Sequence, residues 1–192
     1  MVKLTNELIL QSAFYTNALH ERELDLRGQR IPEIENLGAT RDAFDCIDLS
    51  GNDITALTNF PRLPRLTTLL LSGNRVATIA ADNIAASLPS LESLQLANNR
   101  VCLLFCFFSF LVLLFHHTRT HMHMLTNTQI ADFGEVEHLA GLKCLEHLWL
   151  AGNPIASASD YRLRVVRLLP SVRFLDGARV TKHERDAAQA LS

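Results

Sequence analysis

Four of the eight histidines and two of the four cysteines fall between residues 101 and 129. Cys102, Cys106, His116, His117, His121 and His123 are all of metal-ligand type, but their C-x3-C-x9-H-H spacing matches no usual zinc pattern. Elsewhere the chain has no G-x-S-x-G, no glycine-rich phosphate loop and no H-E-x-x-H, so the common routes to nucleophilic, phosphoryl and metalloprotease chemistry lack their residues. His183-Glu184 is more simply the start of a helix: Thr181 with Glu184 three residues on makes a capping box. No catalytic residue, metal or cofactor is expected. The chemistry left to the chain is that of holding another molecule, and the residues suited to it are spaced by a repeat.

The repeat is apolar-x-x-apolar-x-apolar-x-x-Asn-x-apolar. It reads Phe44, Ile47, Leu49, Asn52, Ile54; then Leu66, Leu69, Leu71, Asn74, Val76; then Leu91, Leu94, Leu96, Asn99, Val101; and again Leu145, Leu148, Leu150, Asn153, Ile155. A fainter copy, Leu24, Leu26, Gln29 and Ile31, precedes them. This phrase is that of a leucine-rich repeat, in which each unit lays down one short strand and then turns. The Asn is needed because its side-chain amide can bond backbone groups that the turn leaves unpaired in the interior. One unit cannot bury its own leucines, so the expectation is an α/β leucine-rich-repeat solenoid with a parallel concave β-sheet. Asn52, Asn74, Asn99 and Asn153 should form an internal column.

The sheet positions the binding residues. Because side chains alternate along a strand, leucines pointing inward leave their neighbours on the concave surface. That surface should carry Glu23, Asp25 and Arg27; Cys46, Asp48 and Ser50; Thr68, Leu70 and Ser72; Ser93, Gln95 and Ala97; and His147, Trp149 and Ala151. Leu70 and Trp149 are apolar on a face open to solvent. Scattered apolar residues are normal on surfaces, but Trp is favoured at interface centres and a concave sheet suits a partner helix. Asp25, Asp48, Leu70, Gln95 and Trp149 are the candidate partner-binding residues.

One domain, residues 1–192, is expected. Residues 1–22 form an N-terminal cap, with helical spacing at Leu4, Leu8, Ile9, Ala13 and Phe14 and Thr5 placed to cap the first turn. Residues 23–100 and 130–157 hold the repeats. Residues 158–192 form the C-terminal cap, where Tyr161 to Leu169 has helical spacing ended by Pro170, and Val172, Phe174 and Leu175 make a last apolar edge before Asp176-Gly177 turns the chain. Net charge is -2, which does not suit a chain built to hold nucleic acid unaided. Four cysteines without a regular framework, and no signal peptide at the start, point to a reducing compartment.

Residues 101–129, VCLLFCFFSFLVLLFHHTRTHMHMLTNTQ, interrupt this order. The Asn positions step by 22 and 25 from Asn52 to Asn99 and then by 54 to Asn153; with this segment removed the last step is again 25. As a membrane helix the apolar run Val101 to Phe115 reaches only about 22 Å, against a bilayer core of roughly 30 Å. The composition fits a third reading: Leu, Phe, Ser and Cys codons are pyrimidine-rich, a Val codon begins with GT and Gln129 can be CAG. Those are the marks of a retained intron, 87 nucleotides translated in frame, or of a gene-model error. Without the segment the chain has 17 basic and 20 acidic residues.

With that segment set aside, the chain resembles the U2 small nuclear ribonucleoprotein A′ family. The resemblance is carried by MVKLT at the start, YTNA at Tyr15 to Ala18, RELDLRG at Arg22 to Gly28, IP and IENLGAT at Ile31 to Thr40, and FD at Phe44-Asp45. It continues through NN at Asn98-Asn99, NP at Asn153-Pro154, YRL at Tyr161 to Leu163, VR at Val172-Arg173 and LD at Leu175-Asp176. The resemblance implies a nuclear, non-catalytic splicing scaffold that grips a helix of an RNA-recognition-motif partner, the B″ protein, and with it holds a U2 snRNA stem-loop. RNA readout would fall to the partner's aromatic sheet, while Lys3, Arg22, Arg27 and Arg30 are candidates for contacts to the RNA backbone. No membrane and no small-molecule substrate are implied. The repeat alone also fits a leucine-rich-repeat adaptor that binds protein and has no RNA role.

Overall fold

A computed structural model describes residues 2–80, 84–99 and 130–191. Residues 101–129, with every reading placed on them, lie outside the described residues.

The chain builds an eight-stranded sheet: β1 (Phe14–Thr16), β2 (Arg22–Asp25), β3 (Cys46–Asp48), β5 (Thr68–Leu70), β7 (Ser93–Gln95), β8 (His147–Trp149), β9 (Phe174–Leu175) and β10 (Ala178–Arg179). From β2 to β9 neighbours run parallel, and β1 and β10 close the edges antiparallel. A second, two-stranded sheet, β4 (Ala56–Leu57) and β6 (Thr78–Ile79), lies on the return side of the repeats. Leu24, Ile47, Leu69, Leu94, Leu148 and Leu175 are in register across the main sheet and all buried. Their order confirms the predicted strand phase: a one-residue slip would have placed every leucine on the other face. β7 and β8 are direct neighbours despite the long step from Asn99 to Asn153.

The predicted Asn column is present and buried. Asn52 Nδ2 donates to the carbonyls of Leu49 (2.7 Å) and Leu26 (2.9 Å), and its Oδ1 accepts from Ile31 N–H (3.1 Å). Asn74 repeats this with Leu71, Leu49 and Ile54. The residue before each Asn turns through positive φ: Gly51 (+69°), Gly73 (+71°), Asn98 (+51°) and Gly152 (+77°). Asn is the side chain that best tolerates that region where Gly is not used.

Two features depart from expectation. Helix α1 covers only Asn6–Gln11, capped by Thr5 Oγ1 accepting from Leu8 N–H (3.2 Å) as predicted. Beyond it, the N-terminal cap becomes strand β1 instead of more helix. Phe14, Tyr15 and Thr16 are aromatic and β-branched, which favours a strand, and pairing with β2 gives the edge backbone its partners. At the other end, the sheet finishes on a carboxylate. In each repeat the N–H after the strand donates to the next strand's carbonyl, as Leu71 does to Gln95 and Leu96 to Trp149. Asp176 Oδ1 takes over that role, accepting from Leu150 N–H (2.7 Å) and Ala151 N–H (2.8 Å), while Tyr161 Oη donates to its Oδ2 (2.7 Å).

Helices α2 (Ile84–Ser87) and α3 (Phe133–Glu137) cover the return side, and α4 (Tyr161–Leu168) and α5 (Lys182–Gln189) pack together as the C-terminal cap. The capping box of Thr181 and Glu184 is formed. Glu184 also accepts from Arg162 Nε (2.5 Å), and that guanidinium holds the Glu184 carboxyl down at about 2, from an ordinary 4.5. A depressed carboxyl contributes stability that is full above its unfolded value and is lost as pH falls through its folded value. Glu184→Gln should therefore be less stable than the parent above pH 4.5, the gap closing towards pH 2; denaturant midpoints at pH 7, 4 and 2 check this.

Candidate protein-binding face

The five partner-binding candidates form one row. Asp25 is in register with Asp48, Asp48 with Leu70, Leu70 with Gln95 and Gln95 with Trp149. Beside it runs a second row: Glu23, Cys46, Thr68, Ser93, His147 and Phe174. Five strands at about 4.8 Å spacing make the first row roughly 19 Å long, the length of about 13 helical residues.

The two ends differ in chemistry. At the N-terminal end, Tyr15 Oη donates to Glu23 Oε1 (2.7 Å), and Asn17 Nδ2 donates to Glu23 Oε2 (3.0 Å) and Glu21 Oε2 (2.8 Å). Thr68 Oγ1 donates to Glu21 Oε1 (2.7 Å). The Glu23 carboxylate holds the Tyr15 proton and pushes its pKa up to about 12. Among the described residues neither Glu21 nor Glu23 forms an ion pair; Glu23 is buried, and the half-buried Glu21 is the carboxylate of the two that a cation from outside can reach. Arg27 is engaged by Asp25 in a two-pronged contact (2.6 and 3.0 Å) and lies 3.5 Å from Asp48; its guanidinium lowers the Asp25 pKa. At the C-terminal end three rings stack: His147 lies 4.7 Å from Phe174, within 2° of parallel, and 5.9 Å from Trp149. Leu70, Gln95 and Trp149 are half-buried, as an open apolar-to-polar surface requires.

Sequence reasoning placed Cys46 and Asp48 on an open surface, and here it needs correction. Both are buried, as is Glu23: Tyr15 and Asn17 close over Glu23, Glu23 lies beside Cys46 on the neighbouring strand, and the Arg27 guanidinium lies against Asp48. Burial, then the carboxylates of Glu23, Glu21 and Asp48, push the Cys46 thiol up, away from the reactive thiolate. The sequence pattern does not reveal Tyr15, which strand β1 carries, or Asn17 and Glu21, which lie in the connection from β1 to β2. Phe174 was taken as an apolar edge; aligning Leu175 with the other strand leucines would have revealed its outward direction. The RNA-backbone candidates do not form one cluster. Arg27 is held by Asp25, Arg22 stacks over the Phe44 ring (5.7 Å), and Lys3 and Arg30 are exposed without an ion pair among the described residues.

These features define a class, the open-faced repeat solenoid, and known proteins share it. A family model described as leucine-rich repeat matches residues 1–113 and 116–192. The U2 small nuclear ribonucleoprotein A′ of Homo sapiens is 41% identical over 191 residues and that of Arabidopsis thaliana 42%, both over 100% of this chain. The chain spans 63% and 65% of the length of those relatives. The crystal structure of the Drosophila melanogaster SNF/U2A′ complex contains a chain that is 40% identical, with a TM-score of 0.80, covering 98% of this chain and 91% of that one. The chain belongs to the U2 small nuclear ribonucleoprotein A′ family of leucine-rich-repeat proteins. The relatives' names are those of a ribonucleoprotein component and none is that of an enzyme.

Burial of the concave thiol is open to a chemical test. Maleimide should label Cys144, which is exposed, in the native protein, while Cys46 reacts only after denaturation; peptide mass mapping distinguishes the two.

Proposed function

We propose that this protein is a non-catalytic nuclear scaffold of the U2 small nuclear ribonucleoprotein, acting in pre-mRNA splicing. Its concave row, Asp25 to Trp149, receives a helix of a B″-type RNA-recognition-motif partner. The observation that carries this reading is the row itself: five residues in continuous register, acidic at one end and aromatic at the other, on a surface long enough for about 13 helical residues. A relative that is 40% identical occurs in a complex with SNF, which supports a partner of that type. The partner helix would place Lys or Arg at Glu21, above the buried carboxylates of Glu23 and Asp48, and an apolar or aromatic side chain on Trp149, His147 and Phe174. The U2 snRNA stem-loop is held mainly through the partner, with Lys3, Arg22 and Arg30 adding phosphate contacts. Arg27 turns to phosphate only by leaving Asp25.

Adjacent substitutions on β8 test the face. Trp149→Ala should weaken partner binding by roughly 30-fold, about 2 kcal/mol, with little loss of stability. Leu148→Ala, pointing inward, should lower stability by about 2 to 5 kcal/mol. Calorimetric titration and denaturant unfolding check both, and the opposite pattern would sink the proposed face. Stem-loop affinity measured with and without the partner tests the RNA role: no gain in the ternary mixture leaves a protein-only adaptor.

A further inference from the structure

Among the described residues the acceptor side of the Asn column has one gap. Asn52, Asn74 and Asn99 each accept, through Oδ1, the N–H of the residue two places after the previous repeat's turn position: Ile31 (3.1 Å), Ile54 (3.1 Å) and Val76 (2.9 Å). Asn153 keeps its two donor bonds, to Leu150 (2.8 Å) and Leu96 (2.9 Å), and is buried, but its Oδ1 has no partner among the described residues. A buried acceptor left unpaired has lost its water without gaining a partner, so native interiors rarely keep one.

The missing donor can be named. Ile31, Ile54, Val76 and Ile155 fill one buried site in successive repeats, and between Val76 and Ile155 the equivalent place belongs to Ile130, also fully buried. Ile130 carries the corresponding backbone bond, shifted by one residue. The Ile31 carbonyl accepts from Asp53 and the Ile54 carbonyl from Arg75, each one place after its Asn; that place after Asn153 is Pro154, which has no N–H, and the Ile130 carbonyl accepts from the next residue, Ile155 (3.2 Å). Three residues on, Phe133 packs on the core where Leu57 and Ile79 do in the earlier repeats. In the fold, then, Ile130 stands two places after Asn99, although in the sequence it stands 31 places after.

We propose that this protein has a shorter form in which Arg100 is joined directly to Ile130, and that this form carries the unbroken column, with Ile130 N–H donating to Asn153 Oδ1. The join sets Asn99, Arg100 and Ile130 in the same relation as Asn74, Arg75 and Val76, whose N–H meets the next Asn. Strands β7 and β8 already pair as though nothing separated them, so the sheet needs no rearrangement.

The test compares the full chain with the variant lacking residues 101–129. The short chain should melt about 3 °C or more higher, the effect of one buried hydrogen bond in a domain of this size, and the Ile130 amide should become protected from hydrogen exchange. Asn153→Ala should lower the melting point less than Asn74→Ala in the full chain, and by a similar amount in the short one. Reverse-transcription PCR across codons 100 to 130 should yield a product shorter by 87 nucleotides. A short chain that melts lower or fails to fold, an Ile130 amide that stays unprotected, or a single mature transcript retaining the 87 nucleotides would each overturn the proposal.

Discussion

The structure depends on one buried side-chain amide per turn. A solenoid of short strands must turn once in every repeat, and each turn leaves backbone donors and acceptors facing an apolar interior. Asn suits the position because one planar group presents both donors and an acceptor. Asn74 thereby ties two successive levels together, bonding its own Leu71 and both Leu49 and Ile54 of the preceding repeat. Leucine packing supplies the larger share of the stabilisation and decides which face of each strand is buried, but it does not satisfy the polar groups of the turns. The Asn bonds do, and they set the spacing at which the leucines meet.

That constraint explains why the concave surface is so regular. Once the leucines of neighbouring strands are in register, the residues beside them fall into rows without further contacts of their own. Asp25, Asp48, Leu70, Gln95 and Trp149 belong to five different repeats, the last two on opposite sides of the 101–129 segment, yet stand one strand apart in space. A face built in this way is positioned by the stack beneath it, so a molecule docking there would have few backbone positions to order.

The ends of a solenoid are where the repeat cannot help itself, and here they are closed by unrelated means. The N-terminal end gains an antiparallel strand, and its Tyr15 and Asn17 also close over the acidic end of the binding face. The C-terminal end adds strand β10 and, past the end of β9, a carboxylate in place of a backbone carbonyl: Asp176 accepts from two consecutive N–H groups and is itself held by Tyr161. Burial and that hydrogen bond push the Tyr161 hydroxyl up, keeping it a donor.

Sequence alone determined the repeat, the inward leucines, the Asn column, the capping box at Thr181 and the row of concave candidates, because each follows from spacing and from the alternation of side chains along a strand. It did not determine that Phe14 to Thr16 pair as a strand, since so short a stretch carries too little periodicity to outweigh a helical pattern next to it. Nor did it show that Glu23, Cys46 and Asp48 are buried, which depends on side chains that meet across neighbouring strands. The stacking of His147 on Phe174 from the neighbouring strand, and the replacement of backbone by Asp176, were likewise decided only in three dimensions. Local spacing reports which face a side chain takes, but what comes to lie against that face is settled by packing between distant segments.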